Sequence, residues 1–334
     1  MPNISTPGPI NTQSNNGRRC LVTGAAGFIG SRLCSQLLAD GWEVRGVDGF
    51  TDAYDPGEKY QRRDTLASHE RFTIFQGDLV DLALDEITNG VEVVFHLAGR
   101  AGVRPSFDLE PRYHHDNVVA TQRILRSCNH NTVRRIVYAS SSSVYGNAPR
   151  PFSETAQTGP ISPYGRTKLE AEQLCLANIA NGLEAVALRY FTVYGPGQRP
   201  DMGIRIFAEA ALENRPIRLF GDGTQIRDFT YVDDIVDATI RAADAPASGL
   251  AINVGGGSTV NLLEVLSMLE ELVGWELKVD KQDFARGDVF GTEADLTRAK
   301  ALLGFEAKVP FKQGLAQEFF WVKNRLAIAA GVSQ

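Results

Sequence analysis

Up to Tyr190 the chain alternates short apolar runs with segments that carry the period of an amphipathic helix. The runs Arg19–Thr23, Glu43–Asp48, Phe72–Gly77, Val91–Leu97, Arg135–Ser140 and Glu184–Arg189 read as strands, and Ser31–Asp40, Asn117–His130 and Pro163–Asn178 as helices between them. This spacing leaves little topological choice. Each connection is long enough for a crossover, crossovers are right-handed, and the strands then lie parallel with helices on both faces. The expected fold class is α/β, a doubly wound parallel sheet.

After Tyr190 the rhythm breaks. VYGPGQRPDMG reads as a Pro/Gly-rich loop, followed by a helix at Ile204–Glu213, a strand at Ile217–Phe220 and the turn GDGTQ. FTYVDDIVDATIRAAD reads as a return to the first layer, with Asp233 or Asp234 capping a helix to Ala243, and GLAINVGGG as another buried strand. From Leu262 onward the chain holds two helical patterns and a short basic loop, ARGDV. The expected division is a disordered tail at 1–17 and a nucleotide-binding domain at 18–190, with return segments at about 229–257. The rest, 191–228 and 258–334, forms a smaller substrate domain.

The chain has 34 Lys+Arg against 40 Asp+Glu, a net charge of −6, which argues against a general nucleic-acid coat. An anion must then be held by locally placed arginines and backbone N–H groups. No apolar run of about 18 residues is present to span a membrane, and MPNISTPGPINTQSNNG lacks the apolar core of a signal peptide. Cys20, Cys34, Cys128 and Cys175 form no CxxC pair and are expected as buried thiols. A cytoplasmic protein is the expectation.

The stretch LVTGAAGFIG joins the first strand to the first helix and sets Gly24, Gly27 and Gly30 at three-residue intervals. Gly24 permits a tight turn, Gly27 lets a pyrophosphate approach the main chain, and Gly30 lets helix and strand pack closely. The helix start, with Phe28 and Ile29, offers unpaired N–H groups and a partial positive charge to phosphates. A glycine loop alone is a common βα turn. Here Asp48 ends the second strand eighteen residues after Gly30, where a carboxylate accepts hydrogen bonds from an adenosine ribose. That carboxylate repels a 2′-phosphate, and no Arg follows it in DGFTD, so NAD is expected rather than NADP. Asp78 and Leu79 are expected beside the adenine; Leu97, Ala98, Gly99 and Tyr190, at later strand ends, are expected to complete the cofactor wall.

PYGRTKLEAE places Tyr164 and Lys168 on one helix face. An ammonium near a phenol lowers the phenol pKa, which makes Tyr164 a usable base near neutral pH. YASSSSVYG, Tyr138–Gly146, sets hydroxyls at the carboxyl end of a parallel strand, where ligands bind. Each pattern is common by itself; their order along one chain gives them force.

Together TGAAGFIG, FHLAG, SSSSVYG, YGRTK and RYFTVYGPGQRPDM resemble the extended short-chain dehydrogenase/reductase family. Within it the chain is most similar to the nucleotide-sugar 4-epimerases, above all those acting on UDP-glucuronate, from about Arg19 to about Val322. The resemblance implies a Rossmann-type domain, tightly held NAD and a homodimer paired through helices of that domain. It implies Tyr164 as base, Lys168 on the nicotinamide ribose, Ser141 sharing the proton with Tyr164, and Asn117 bracing the site.

Related dehydratases carry an Asp-Glu pair just before Val-Tyr-Gly, and related decarboxylases a Glu at the second of these positions. Ser142 and Ser143 stand there in this chain, with no group of suitable pKa. A 4-keto hexuronate is a β-keto acid that loses CO2 when its C5–C6 bond aligns with the carbonyl π system. Ser142, Ser143 and Thr192 are expected to hold the carboxylate out of that alignment, with Arg199 as supporting cation and Arg205 near the place of a further arginine. Arg227 and Arg286 are expected at the diphosphate, Asp288 at the uridine ribose, and Leu219 and Gln225, within RLFGDGTQ, at the uracil. No metal is expected, His114-His115 being read as lacking nearby carboxylates, and His96 is given a packing place. The expected activity is reversible C4 epimerisation of UDP-glucuronate to UDP-galacturonate through a 4-keto sugar and transient NADH. A 4-epimerase of UDP-glucose or UDP-N-acetylglucosamine, a UDP-glucuronate decarboxylase, and a catalytically silent NAD-binding regulator are the alternatives.

Overall fold

The structure, a computed structural model, describes residues 17–131 and 133–331. All but the last residue of the expected 1–17 tail lies outside the described residues. The strands are β1 (Arg19–Thr23), β2 (Glu43–Asp48), β3 (Phe72–Gln76), β4 (Val93–His96), β5 (Arg135–Ser141), β6 (Glu184–Tyr190), β7 (Thr192–Tyr194), β8 (Ile217–Phe220), β9 (Ile226–Tyr231), β10 (Leu250–Val254), β11 (Thr259–Asn261) and β12 (Val279–Gln282). Seven of them form one parallel sheet in the order β3-β2-β1-β4-β5-β6-β10. The order reverses between β1 and β4, which opens a crevice at their carboxyl ends.

Every residue of β4 and β5 is buried, the consequence of helices covering both faces of a parallel sheet. Side chains alternate between the two layers, as the pleat requires. Cys20, Val22, Val93 and Phe95 enter the core that contains the helix Phe28–Ala39, whereas Leu21, Val94 and Ile136 enter the one under Ala120–His130 and Pro163–Ala177. β10 adds to the sheet beside β6. The remaining strands form a three-stranded sheet, β11-β9-β7, and a pair, β12-β8. Among the described residues no helix is long and apolar enough to cross a membrane.

Two local expectations are corrected, and one helix was not expected. The helix after β9 is Val232–Arg241, its N-cap is Tyr231, and no side chain caps it. Asp234 instead accepts the N–H groups of Lys308 and Val309, each at 3.1 Å, and Asp233 pairs with Arg32. From Leu262 onward the described residues form three helices, Leu262–Val273, Thr297–Leu303 and Phe311–Ala329. The helix Gly57–Ala67 has no counterpart in the sequence reading, because only three of its residues are buried and two of those are charged.

Candidate active site

The glycine loop shows why side chains are excluded there. Gly24 has φ +70°, a left-handed conformation, and its N–H donates to Val47 O at 2.7 Å. A Cβ on Gly30 would lie 2.0 Å from Gly24 O and 2.8 Å from Gly24 C, so helix and loop meet only through glycine. Gly27 is the N-cap of the Phe28–Ala39 helix and supplies no capping side chain, so the first-turn N–H groups remain for a ligand. Gly30→Ala is expected to displace the loop, lower the melting temperature and reduce the NAD retained on purification by at least tenfold. Thermal unfolding and cofactor content after purification measure both.

A cavity of about 430 Å3 opens on this loop. Every residue assigned to the cofactor from sequence lines it except Asn117, and Ser141, Ser142, Ser143, Thr192 and Arg199 line it too. Asn117 lies just beneath. Its Oδ1 accepts from Arg100 N at 2.7 Å, and its Nδ2 donates to Thr167 Oγ1 at 2.9 Å. A Cβ on Gly99 would meet Oδ1 at 2.8 Å, so Asn117 sets the floor from below.

Asp48 is buried, and its carboxylate accepts from Ala26 N at 3.1 Å, Phe50 N at 2.9 Å and Lys59 Nζ at 2.9 Å. Lys59 comes from the unforeseen Gly57–Ala67 helix and also lines the cavity. The expected repulsion of a 2′-phosphate is thus weakened, because the carboxylate carries its own counter-ion. The glycine loop, the uncapped helix start and the Asp48–Lys59 pair together fit the adenosine diphosphate half of NAD.

Tyr164 is set by helix capping: Ser162 Oγ accepts from Gly165 N at 3.1 Å and Pro163 opens the helix. The phenol is hydrogen-bonded to Ser141, whose Oγ also accepts from Ser143 N at 3.1 Å. Burial raises the Tyr164 pKa; the Ser141 hydrogen bond and the Arg199 charge work against that rise. The sequence suggests Lys168 as a group that lowers the phenol pKa; the lowering influences seen here are Ser141 and Arg199. The Lys168 ammonium lies 4.5 Å over the Tyr138 ring centroid, and burial lowers its own pKa to about 8.

On the sugar side, Arg199 is paired with Asp201 through Nε at 2.9 Å and Nη2 at 2.5 Å. Arg205 does not line the cavity. Its guanidinium binds Glu58 at 2.7 Å, Glu209 at 2.8 Å and Gln198 O at 2.7 Å, so it braces the loop that bears Arg199. A helical arginine at the fringe of a ligand motif finds Glu209 one turn along its own helix and Glu58 on the helix Gly57–Ala67, and the second partner is one that spacing alone does not reveal. Thr51, Tyr54, Arg100 and Met202 line the cavity without a signal in the sequence reading.

The residues assigned to the nucleotide lie outside the cavity lining. Arg227 donates to Ile226 O at 2.9 Å, and Asp288 pairs with Arg104 at 3.0 Å. The Arg286 guanidinium lies 4.2 Å over the Phe107 ring centroid. This segment adjoins the cavity, for a Cβ on Gly287 would meet Val103, a lining residue, at 2.9 Å. Gln225 is buried with Nε2 donating to Phe220 O at 2.7 Å and Oε1 unpartnered, an acceptor that suits a ligand N–H. The Leu219 side chain is fully buried in the core and offers a ligand nothing. The histidine pair is corrected as well. His115 and Asp116 come together with Asp78, and His114 lies 3.7 Å from Glu170. Asp116, however, is already held by Arg100 and Arg112, both at 2.9 Å.

A parallel sheet with a glycine loop, a hydroxyl-bonded Tyr and a buried Lys defines a nucleotide-dependent oxidoreductase-type site. Residues 20–255 match the NAD dependent epimerase/dehydratase family, and the chain belongs to it. A UDP-glucuronate 4-epimerase of Thermodesulfobacterium geofontis is 40% identical over 93% of this chain and 98% of its own length. The UDP-glucuronic acid 4-epimerase of Bacillus cereus, solved with UDP-glucuronic acid and NAD, superposes with a TM-score of 0.89 at 37% identity, over 92% of this chain and 99% of that one. MoeE5, solved with UDP-glucose and NAD, gives a TM-score of 0.85 at 42% identity, over 92% and 99%.

Proposed function

We propose that this protein inverts C4 of a UDP-hexuronate, interconverting UDP-glucuronate and UDP-galacturonate. The observation that carries the reading is the Ser141–Tyr164 pair beside a wall made of Ser142, Ser143, Thr192 and the cation Arg199. Chain 18–190 with its return segment at about 229–257 serves as the cofactor domain, and 191–228 with 258–334 as the substrate domain. Gly24, Gly27, Phe28, Ile29 and Gly30 would hold the pyrophosphate of NAD, Asp48 with Lys59 its adenosine ribose, and Lys168 the nicotinamide ribose. NAD, when bound, supplies an acceptor for the C4 hydride that can return it.

Tyr164 takes the proton of the sugar O4 hydroxyl, with Ser141 sharing it, and gives it back after the 4-keto sugar has turned over. Asn117 holds the main chain of Arg100 and, through Thr167, the helix of Tyr164. Arg199 receives the uronate carboxylate. Ser142, Ser143 and Thr192 hold that carboxylate away from alignment with the C4 carbonyl. At the other end Arg227 and Arg286 serve the diphosphate, Asp288 the ribose, and the open Oε1 of Gln225 the uracil.

Replacing both Ser142 and Ser143 by Ala is expected to raise the UDP-pentose fraction of the product several-fold, read by NMR. An unchanged product ratio refutes their role. The substrate is tested by separate incubation with UDP-glucuronate, UDP-glucose and UDP-N-acetylglucosamine. Galacturonate from the first alone supports the reading. A second reading, UDP-glucose 4-epimerisation, is favoured by the likeness to MoeE5, which was solved with UDP-glucose; galactose from the second incubation selects it. The shallow hollow between the helices Ala120–His130 and Pro163–Ala177, walled by Leu125 and Leu174, supports a homodimer paired there. The four buried, unpaired cysteines support a reducing compartment, the cytoplasm in our reading.

A further inference from the structure

His96 ends β4, fully buried, with both ring nitrogens engaged: Nδ1 lies 2.7 Å from Thr23 Oγ1 and Nε2 2.9 Å from Thr121 Oγ1. The direction of each bond is fixed by its neighbours. Thr23 Oγ1 already accepts the N–H groups of Leu97, at 3.1 Å, and Ala98, at 3.0 Å. Both its lone pairs are in use, so its own proton goes to Nδ1. At the other end the Thr121 hydroxyl donates to Asn117 O at 2.6 Å, so Thr121 Oγ1 accepts a proton from Nε2. Two independent ends require the same tautomer, neutral imidazole protonated on Nε2.

We propose that His96 is a positioning residue of the catalytic site, the centre of a directed hydrogen-bond chain that registers the cofactor floor against the helix of Tyr164 and Lys168. On one side Thr23 holds Leu97 and Ala98, which line the cavity. On the other, Thr121 claims the carbonyl of Asn117 within the π-helical turn His115–Val119, a geometry that interrupts the ordinary ladder and aims side chains at sites. The Asn117 amide then donates to Thr167, whose hydroxyl donates to Tyr164 O at 3.0 Å. Thr167 stands between Tyr164 and Lys168, so the chain ends between the two reactive groups. The His96 ring also packs against Tyr138, 5.6 Å between centroids, and Tyr138 carries the Lys168 ammonium. Burial pushes His96 down to about 3, and Lys168 acts in the same direction, so the ring stays neutral. A protonated ring would have no lone pair for Thr23.

The kinetic arm of the test rests on the assignment of Tyr164 above; the spectroscopic arm does not. Nitrogen NMR of the full-length protein with its retained cofactor is expected to show His96 with bare Nδ1 and protonated Nε2, unchanged between about pH 5.5 and 8.5. Thr121→Val keeps the shape and removes both bonds. It is expected to lower kcat about tenfold with the KM for UDP-sugar within about twofold, while Thr121→Ser keeps most of the activity. An Nδ1–H tautomer, titration in that range, or a Thr121→Val kcat within about twofold of normal when Tyr164→Phe is inactive overturns the proposal. If Tyr164→Phe is itself active, the catalytic assignment fails instead, and the nitrogen spectrum alone decides on His96.

Discussion

Tyr164→Phe is expected to lower turnover by about 10²–10⁴-fold while leaving stability and retained NAD unchanged. The substitution removes one oxygen from a half-buried side chain that lines the cavity. That oxygen's hydrogen bond is to Ser141, which keeps its bond from Ser143 N, so the local turn survives. The ring persists, and with it the edge contact to Tyr113, 6.2 Å between centroids. The loss falls on proton transfer. Burial holds the phenol protonated in the structure as it stands, against the Ser141 bond and the Arg199 charge. Further stabilisation of the phenolate must therefore come with the ligands, and a positive nicotinamide is suited to give it. A coupled assay for turnover, with cofactor content and melting temperature on the same samples, separates chemistry from folding. Turnover within about tenfold of normal removes Tyr164 as the base.

How far the sequence reaches depends on how local each relation is. The glycine loop was legible because turn, helix start and close packing are dictated within ten residues by backbone geometry. The parallel sheet was legible because its buried strands are continuous apolar runs. Tyr164 and Lys168 were correctly placed on one helix face, but the direction of the ammonium was not readable. It is set by the Tyr138 ring on β5, a partner far along the chain. Lys59 escaped notice because its helix is polar and shows almost no apolar stripe, although its ammonium meets Asp48 at the cofactor end of the cavity. Arg205 illustrates the converse: a basic residue beside a ligand motif proves to be structural once Glu58 and Glu209 converge on it. His96 lay in a motif, yet its role depends on two threonines from β1 and the helix Ala120–His130 that only the fold brings to its two nitrogens.

Arg199→Met is expected to lower kcat/KM for UDP-glucuronate by about 10²–10³-fold and to affect UDP-glucose far less. Removing one member of a charge pair at a binding site costs about 2–5 kcal/mol, and here the lost member is the wall's cation. Methionine keeps much of the stem's packing, so the change is mainly one of charge. Asp201 loses its partner but is well exposed, which limits the cost to folding. The substitution also reaches the chemistry, because the Arg199 charge is one of two influences that oppose the burial-driven rise of the Tyr164 pKa. With that charge gone the phenol pKa rises further. Since the base form is the phenolate, its fraction at a given pH falls, and the ascending limb of the kcat profile moves to higher pH. Asp201→Asn keeps the cation and is expected to leave that limb nearly in place. Kinetics across pH on both substrates distinguish the two contributions. Loss of uronate preference with an unmoved limb means that Arg199 binds the carboxylate without tuning Tyr164; a moved limb with preference retained means that the carboxylate is read elsewhere on the wall.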